Sequence, residues 1–479
     1  MMYEGVTGRL VDLTINTKFE DLPQEVVRHI KRMLFDSIGC ALGGYSVDRG
    51  KLAVELVEES GDKPEACVIG GHRTSCALAA FANGELINAL DYDYSGPMTP
   101  HVCPYVTSPC LAIAERAGAS GKELILALAL AHEIGGRVSA SLAQLKVLKE
   151  EPPYFEEPPR YTYTYSLLGG VAAAGKLLGL NHKEMANALG IAGASAPVPA
   201  TMKVWKNTGP KIMVKYNAWS GWASQLATVA VLLAGKGFTG DATILDGDWG
   251  FWKIVGSPFF KPDKLLGGLG EVWHIGEVWF KFYPTCAITH AGLDGINKLL
   301  KEHNINPEEI EEIAVKADPI LLTPNRAGTE VQSFADVQFV NAPIFAIGAY
   351  HGDSPDAAWQ MPYIYNRPEI KALAAKVRVE PHPRSEEIIV SMLKAGKKPN
   401  FSDTIVEITV GGKTFSTEVV AFKGTPENPL TEAELVDKFR NNASYSMLSS
   451  SRIDGIIEIV NNLEKEENLT KLYRLMIIS

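Results

Sequence analysis

Cysteine is scarce in this chain. Its six thiols (Cys40, Cys67, Cys76, Cys103, Cys110 and Cys286) lie far apart among 479 residues, with no C-x-x-C pair and no Cys/His cluster at zinc or iron–sulfur spacing. That pattern excludes a disulfide scaffold and leaves reduced, mostly buried thiols as the expectation. Blocks of lysine or arginine are missing too, and the formal charge is −10. Neither nucleic acid nor a membrane surface is therefore expected as the main partner, although a basic pocket for an acidic substrate is compatible with that balance. The first residues form neither a basic n-region nor an apolar signal core, so no export is indicated and a cytoplasmic location is expected. The apolar run Ala218 to Ala234 is interrupted by Trp219, Ser220, Gln225 and Thr228, which suits a buried helix better than a membrane span. Repeats and low-complexity tracts are absent.

What remains is an ordinary globular composition, 46% hydrophobic and 21% charged, long enough for two or three domains. The first half reads as helix after helix. From Glu25 to Leu42, Val26, Val27, Ile30, Met33, Leu34 and Ile38 recur at three-or-four spacing and make one apolar face. Ser120-Gly121-Lys122-Glu123 and Asn181-His182-Lys183-Glu184 have the form of capping boxes before apolar segments. Leu167 to Leu180 and Trp222 to Gly235, rich in alanine and leucine, predict helices deep in an all-α core.

The texture changes after about residue 265. Asn306-Pro307-Glu308-Glu309 opens a short turn or helix, Ile313 to Ala317 and Val377 to Pro381 read as strands, and Ile405 to Thr417 reads as a hairpin turning at Gly411-Gly412. A smaller α/β unit is therefore expected over roughly 267–423. Thr431-Glu432-Ala433-Glu434 caps a final helical segment that could rejoin the first domain. The tyrosine- and proline-rich patch from Glu151 to Tyr165 reads as a long loop, and long loops tend to be functional.

Chemistry concentrates in three blocks. In Asp91-Tyr92-Asp93-Tyr94-Ser95-Gly96-Pro97-Met98-Thr99-Pro100-His101, two carboxylates, a hydroxyl and an imidazole follow an apolar run, as a proton-transfer site at the mouth of a helical core would require. Sequence leaves Asp91 and Asp93 open between that role and simple turn residues. Trp205 to Asn217 holds Lys206, Lys211 and Lys215 before an apolar helix, either as solvated charges or as ammonium groups aimed at a carboxylate. Phe280-Lys281-Phe282-Tyr283 sets one basic residue among aromatics, where a bound anion would supply its partner. His132, within an apolar helix, reads as structural.

With these blocks the chain resembles the MmgE/PrpD family, which includes 2-methylcitrate dehydratases, cis-aconitate decarboxylases and iminodisuccinate epimerases. The resemblance spans nearly the whole length. It rests on Ala89-Leu90-Asp91-Tyr92-Asp93 with His101, the segment with Ala114, Glu115, Gly118, Ser120 and Gly121, and Gly237-Phe238-Thr239-Gly240 before Gly250-Phe251. Lys281-x-Tyr283-Pro284 with His290, Ala335-Asp336-Val337-Gln338-Phe339, and Asn428-Pro429-Leu430-Thr431 before Lys438-Phe439 complete it. It implies a mainly α fold: a large helical domain from residues 1–266 and 424–479, and a smaller inserted α/β lid domain over 267–423. It also implies a homodimer with the site between the domains, and neither cofactor nor metal.

Carried over residue by residue, Asp91, Ser95 and His101 match the family's active-site aspartate, hydroxyl and histidine. Lys215 matches the core lysine, with Lys211 the runner-up; Lys281 matches the lid lysine and His290 the second histidine. Two positions depart from the pattern. Arg160 or Tyr161 stands where many relatives have a histidine, and Cys286 stands where many have another.

The expectation is a metal-independent lyase on a small di- or tricarboxylate, resembling 2-methylcitrate dehydratase. A decarboxylase or epimerase in the same site is the first alternative, and a catalytically silent carboxylate-binding or scaffold relative the second. All three reactions build negative charge beside a carboxylate and move protons at one carbon, so they need an acid, a base and fixed cations. His101 is the expected acid/base, with Asp91 orienting its ring or serving as a second proton carrier. Lys215 and Lys281 would hold carboxylates, Ser95 would add a hydrogen bond, and Arg160 would replace the missing histidine as a clamp. A helical Asp91–Ser95 segment would place those two residues on one face.

Overall fold

A computed structural model of the chain describes residues 5–61, 63–96, 101–142, 147–148, 155–156, 164–197, 213, 220–395 and 403–478. Most of it is helix. The apolar face read in the first long helix, α1 (Gln24–Gly43), is buried, and all six of its spaced apolar residues lie in the core. Further along the chain come α2 (Cys76–Asn88), α3 (Cys103–Ala117) and α4 (Gly121–Ser141). The run continues with α5 (Leu167–Leu177), α6 (His182–Ala194) and α7 (Ser220–Ala234). Helices α2, α3, α5 and α7 pack on one another, with α4 against α3 and α5. Both capping boxes form. The Ser120 hydroxyl accepts from the Glu123 N–H while Glu123 accepts from the Ser120 N–H at 2.7 Å, and Asn181 and Glu184 do the same before α6.

Helix α5 stops at Leu177, short of the expected Leu180. Gly179 there adopts φ +73°, which ends the helix and delivers the chain to the Asn181 cap. Most of the expected Glu151–Tyr165 loop lies outside the described residues; within it, Phe155–Glu156 pairs antiparallel with Val147–Leu148. Helix α4 is long and apolar enough to cross a membrane, but 94% of its most apolar window is buried inside the molecule. It also carries a fully buried Glu133–Arg137 pair. Arg137 donates to the carbonyls of Leu265, Gly267, Gly268 and Val272, so one guanidinium holds the segment that leads out of the helical region.

Beyond that segment lies a four-stranded sheet made of β1 (Glu312–Ala317), β2 (Val377–Pro381), β3 (Thr404–Val410) and β4 (Lys413–Val419). Its order is β2-β1-β3-β4, with β1 and β2 parallel and the other pairs antiparallel. The β3–β4 hairpin turns at Gly411 and Gly412, with φ of +56° and +72°, the left-handed pair that a tight two-residue turn demands. Helices α8 (His290–His303) and α9 (Asn341–His351) cover the sheet, and α10 (Glu432–Ala443) returns against α1, where Phe439 stacks on Phe35 at 4.2 Å. All six cysteines are free and buried.

Candidate active site

Helix α2 ends at Asn88, and the chain beyond it does not continue as the helix that would align Asp91 with Ser95. Asp91 turns into the left-handed region at φ +53°, and Ser95 pairs in extended form with Trp279, exchanging backbone hydrogen bonds of 2.9 and 2.8 Å. The physical reason is a set of donors that capture the carbonyls a helix would have used. Gln338 donates to Ala89 O at 2.9 Å, Gln360 to Leu90 O at 2.7 Å, Lys281 to Asp91 O at 2.7 Å and Lys438 to Tyr92 O at 2.8 Å. Four consecutive carbonyls are thus held by side chains from the later half of the chain. Gln338 also donates to the Gln360 side-chain oxygen Oε1 at 2.6 Å, which ties two of the four donors together.

Only three non-glycine residues among those described have positive φ: Asp91, His101 at +55° and Asn304, which caps a helix. Such backbone costs of order 1–3 kcal/mol per residue and persists where the surroundings over-determine it, as functional sites do. Asp91 and His101 meet in the interior. The His101 Nε2 lies 3.5 Å from Asp91 Oδ1 and its Nδ1 lies 3.5 Å from Asp93 Oδ2, with all three side chains buried. Asn88 completes the ring's surroundings, its amide nitrogen 3.3 Å from Nδ1 and 2.9 Å from Asp93 Oδ1. That amide faces inward because its oxygen accepts from Arg49 at 3.1 Å, and Arg49 is itself paired with Glu85. Nδ1 therefore meets a donor when bare and an acceptor when protonated, an arrangement suited to a ring that cycles between both states.

Lys281 brings the positive charge. Its fully buried ammonium lies 3.3 Å from Asp91 Oδ2, opposite the side that faces the imidazole. Burial pushes the Asp93 carboxyl up, but the hydrogen bond and charge of His101, with the Lys281 ammonium, outweigh it and leave Asp93 below the ordinary carboxylate range. Ligand atoms of Asp91, Asp93 and His101 all lie within 4.8 Å of one another, close enough to share a cation. The Lys281 ammonium already supplies compensating charge on Asp91, so the donor set does not demand a metal.

The remaining expected residues are distributed as follows. Ser95 is buried and stitched to Trp279 through its backbone. Cys286 is buried, its N–H donating to Gln338 O at 3.0 Å and its sulfur accepting from Arg326 at 3.4 Å. His290 opens α8 with Nε2 3.3 Å from Thr285 O; burial and the nearby Lys281 charge pull its imidazole down to about 3, so it is neutral. Arg160, Lys211 and Lys215 lie outside the described residues. The sequence alone does not single out Asn88, Gln338, Gln360, Lys438 or Arg326 as site residues, and it leaves Asp93 open between a proton-transfer group and a turn residue. Asp93 and Asn88 were within reach of local reading, since they flank Asp91 at two and three positions. Arg326, a fully buried guanidinium beside Cys286, carries no local signal at all.

The sequence of the MmgE/PrpD N-terminal domain is matched by residues 8–261, and that of the MmgE/PrpD C-terminal domain by residues 283–465. The chain belongs to the MmgE/PrpD family. Among curated relatives of this family member, it is 27% identical over 501 aligned positions to a cis-aconitate decarboxylase of Mus musculus, covering 99% of this chain and 94% of that protein. Similar figures hold for the cis-aconitate decarboxylase of Homo sapiens, at 26% identity over 99% of this chain and 95% of the relative. That of Aspergillus terreus (strain NIH 2624 / FGSC A1156) is 26% identical over 98% and 96%.

Proposed function

We propose that this MmgE/PrpD protein is a lyase of small polycarboxylates and that it decarboxylates a cis-unsaturated tricarboxylate of the cis-aconitate type. The observation that carries the reading is the buried Asp91–His101–Asp93 group with Lys281 on its far side; end-to-end similarity to cis-aconitate decarboxylases supports it. Loss of CO2 from the CH2–COO⁻ arm breaks a C–C bond and sends its electron pair into the adjacent carbon, forming a new C=C. The original double bond shifts its pair to the carbon that bears the far carboxylate. A proton from the His101 imidazolium then neutralises that carbon, and solvent restores the ring. Asp91 and Asp93 hold the ring in place while it changes charge, and Lys281 offsets the carboxylate charge gathered around the reacting centre. The region 267–423 acts in this reading as a lid over the site, and a homodimer in the cytoplasm is its setting; light scattering and cell fractionation test the last two.

Dehydration of a 2-methylcitrate-type hydroxy acid is the second reading. It draws on the same groups, His101 beside Asp91 with the Lys281 ammonium, because loss of water from a β-hydroxy acid also builds negative charge beside a carboxylate and moves a proton at one carbon. Incubating the protein in deuterated water with cis-aconitate, 2-methylcitrate and related acids separates the two. CO2 release with one deuteron fixed in the product supports decarboxylation, water loss without CO2 supports dehydration, and turnover of no acid overturns both.

A further inference from the structure

Lys438 sits on α10, in a sequence block that marks the family but lies outside the proton-transfer chemistry. Its ammonium is buried and its three donors are all used: on Asp36 Oδ1 at 2.6 Å, Tyr92 O at 2.8 Å and Lys281 O at 2.9 Å. It also lies 4.0 Å from the centre of the Tyr92 ring. The second oxygen of Asp36 accepts from the Tyr94 N–H at 3.0 Å. The peptide units on either side of Asp93 are thus gripped by the two halves of one ion pair, Tyr92 C=O by Lys438 and Tyr94 N–H by Asp36. The third bond of Lys438 fixes the backbone of Lys281.

Lys281 stands on a segment clamped residue by residue. Trp279 pairs with Ser95 and Phe280 donates its N–H to Gly424 O at 3.0 Å, so the carbonyl of Lys281 is the next point of attachment. Gly424, at φ +102°, allows this approach: a Cβ there would meet Phe280 O. One side chain from the C-terminal segment therefore joins the carboxylate loop of the helical region to the segment that presents the ammonium. A buried ion pair is a poor device for stability alone, since an apolar pair of equal volume commonly does as well or better. Three directed bonds, two of them on backbone atoms that carry the charged groups of the site, have a geometric use.

We propose that Lys438 is a positioning residue that sets the Asp93 carboxylate and the Lys281 ammonium about His101. The proposal rests on the polycarboxylate-lyase reading, and its test is arranged so that the two fail separately. The double variant Asp36→Asn/Lys438→Met removes both charges, keeps an acceptor for the Tyr94 N–H and leaves no unpaired buried ion. Assayed below its unfolding transition, it should retain the wild-type fold by circular dichroism and lose roughly 100-fold in kcat, the scale expected for misplacing catalytic groups by about 1 Å, with KM within about threefold. Lys438→Arg should not restore the rate, because a planar fork cannot direct three diverging bonds. The 15N resonances of the His101 ring, assigned by their disappearance in His101→Gln, should move in the double variant. A folded double variant with kcat within threefold of wild type overturns the proposal. If the wild-type protein turns over no acid, the lyase reading fails by itself; an unmoved His101 ring signal then overturns the positioning role, and a moved one upholds it. Should the double variant not fold, Lys438→Gln, neutral and shorter by one bond, is read by the same two measurements and the same outcomes.

Discussion

Asp91 and His101 spend backbone energy to face each other. The left-handed φ of Asp91 is held by Lys281, Gln360 and Lys438, which take the carbonyls of residues 90 to 92. Asp93 is the residue whose charge state is most directly bound to this geometry. Its folded-state carboxyl lies below the unfolded value of 3.8, so its contribution to stability is fully present above that value and is lost as pH falls through the lower, folded one. Asp93→Asn should therefore melt below the wild type at neutral pH, with the gap closing as the pH drops below about 3.8. A melting series from pH 7 downward reads the gap; one that is constant across the series contradicts this reading of Asp93. The same substitution removes the negative charge beside Nδ1 and one of the two acceptor oxygens that serve Asn88 and the ring, and should lower kcat by about 10- to 100-fold.

Elements divide into those that local sequence specifies and those that it does not. Capping boxes at Ser120, Asn181 and Thr431, the Gly411-Gly412 hairpin and the apolar face of α1 were legible because each is written within a few residues. The course of residues 89–95 was not. Its conformation is set by donors 249, 270, 190 and 346 residues away, and no local propensity encodes a partner at that distance. Sequence thus supplied Asp91, His101 and Lys281 through the family resemblance, while the groups that hold them appeared only with the fold. Thr431 offers a control at this scale, since its cap starts the helix that bears Lys438 without touching the site. Thr431→Ala should cost about 1 kcal/mol of stability, read as a lower urea midpoint with unchanged slope, and leave kcat as it was.

For the whole molecule, two interior histidines make stability depend on pH. His132 accepts from, or donates to, the Tyr94 hydroxyl at 2.8 Å, and burial pulls it down to about 3; His290 is lowered to the same value by burial and the Lys281 charge. Both return to 6.5 on unfolding, so the unfolded chain binds more protons between about 6.5 and 3, and stability falls as pH decreases through that window. Each contributes a slope of up to about 1.4 kcal/mol per pH unit there. Chemical denaturation at pH 7.5, 6 and 5 should show that decline, and His290→Gln should make it shallower. A stability flat from pH 7.5 to 5 would contradict the neutral, buried assignment of both rings.

In the proposed decarboxylation the His101 ring delivers the proton that completes the reaction. That role is tested most directly by comparing wild type and His101→Gln in deuterated water with the acid that the wild type consumes, following product formation and deuterium content together. Wild-type product should carry one deuteron at the carbon that bears the far carboxylate. The folded variant should form that product at least about 100-fold more slowly. A variant that labels and releases product at the wild-type rate would contradict that role.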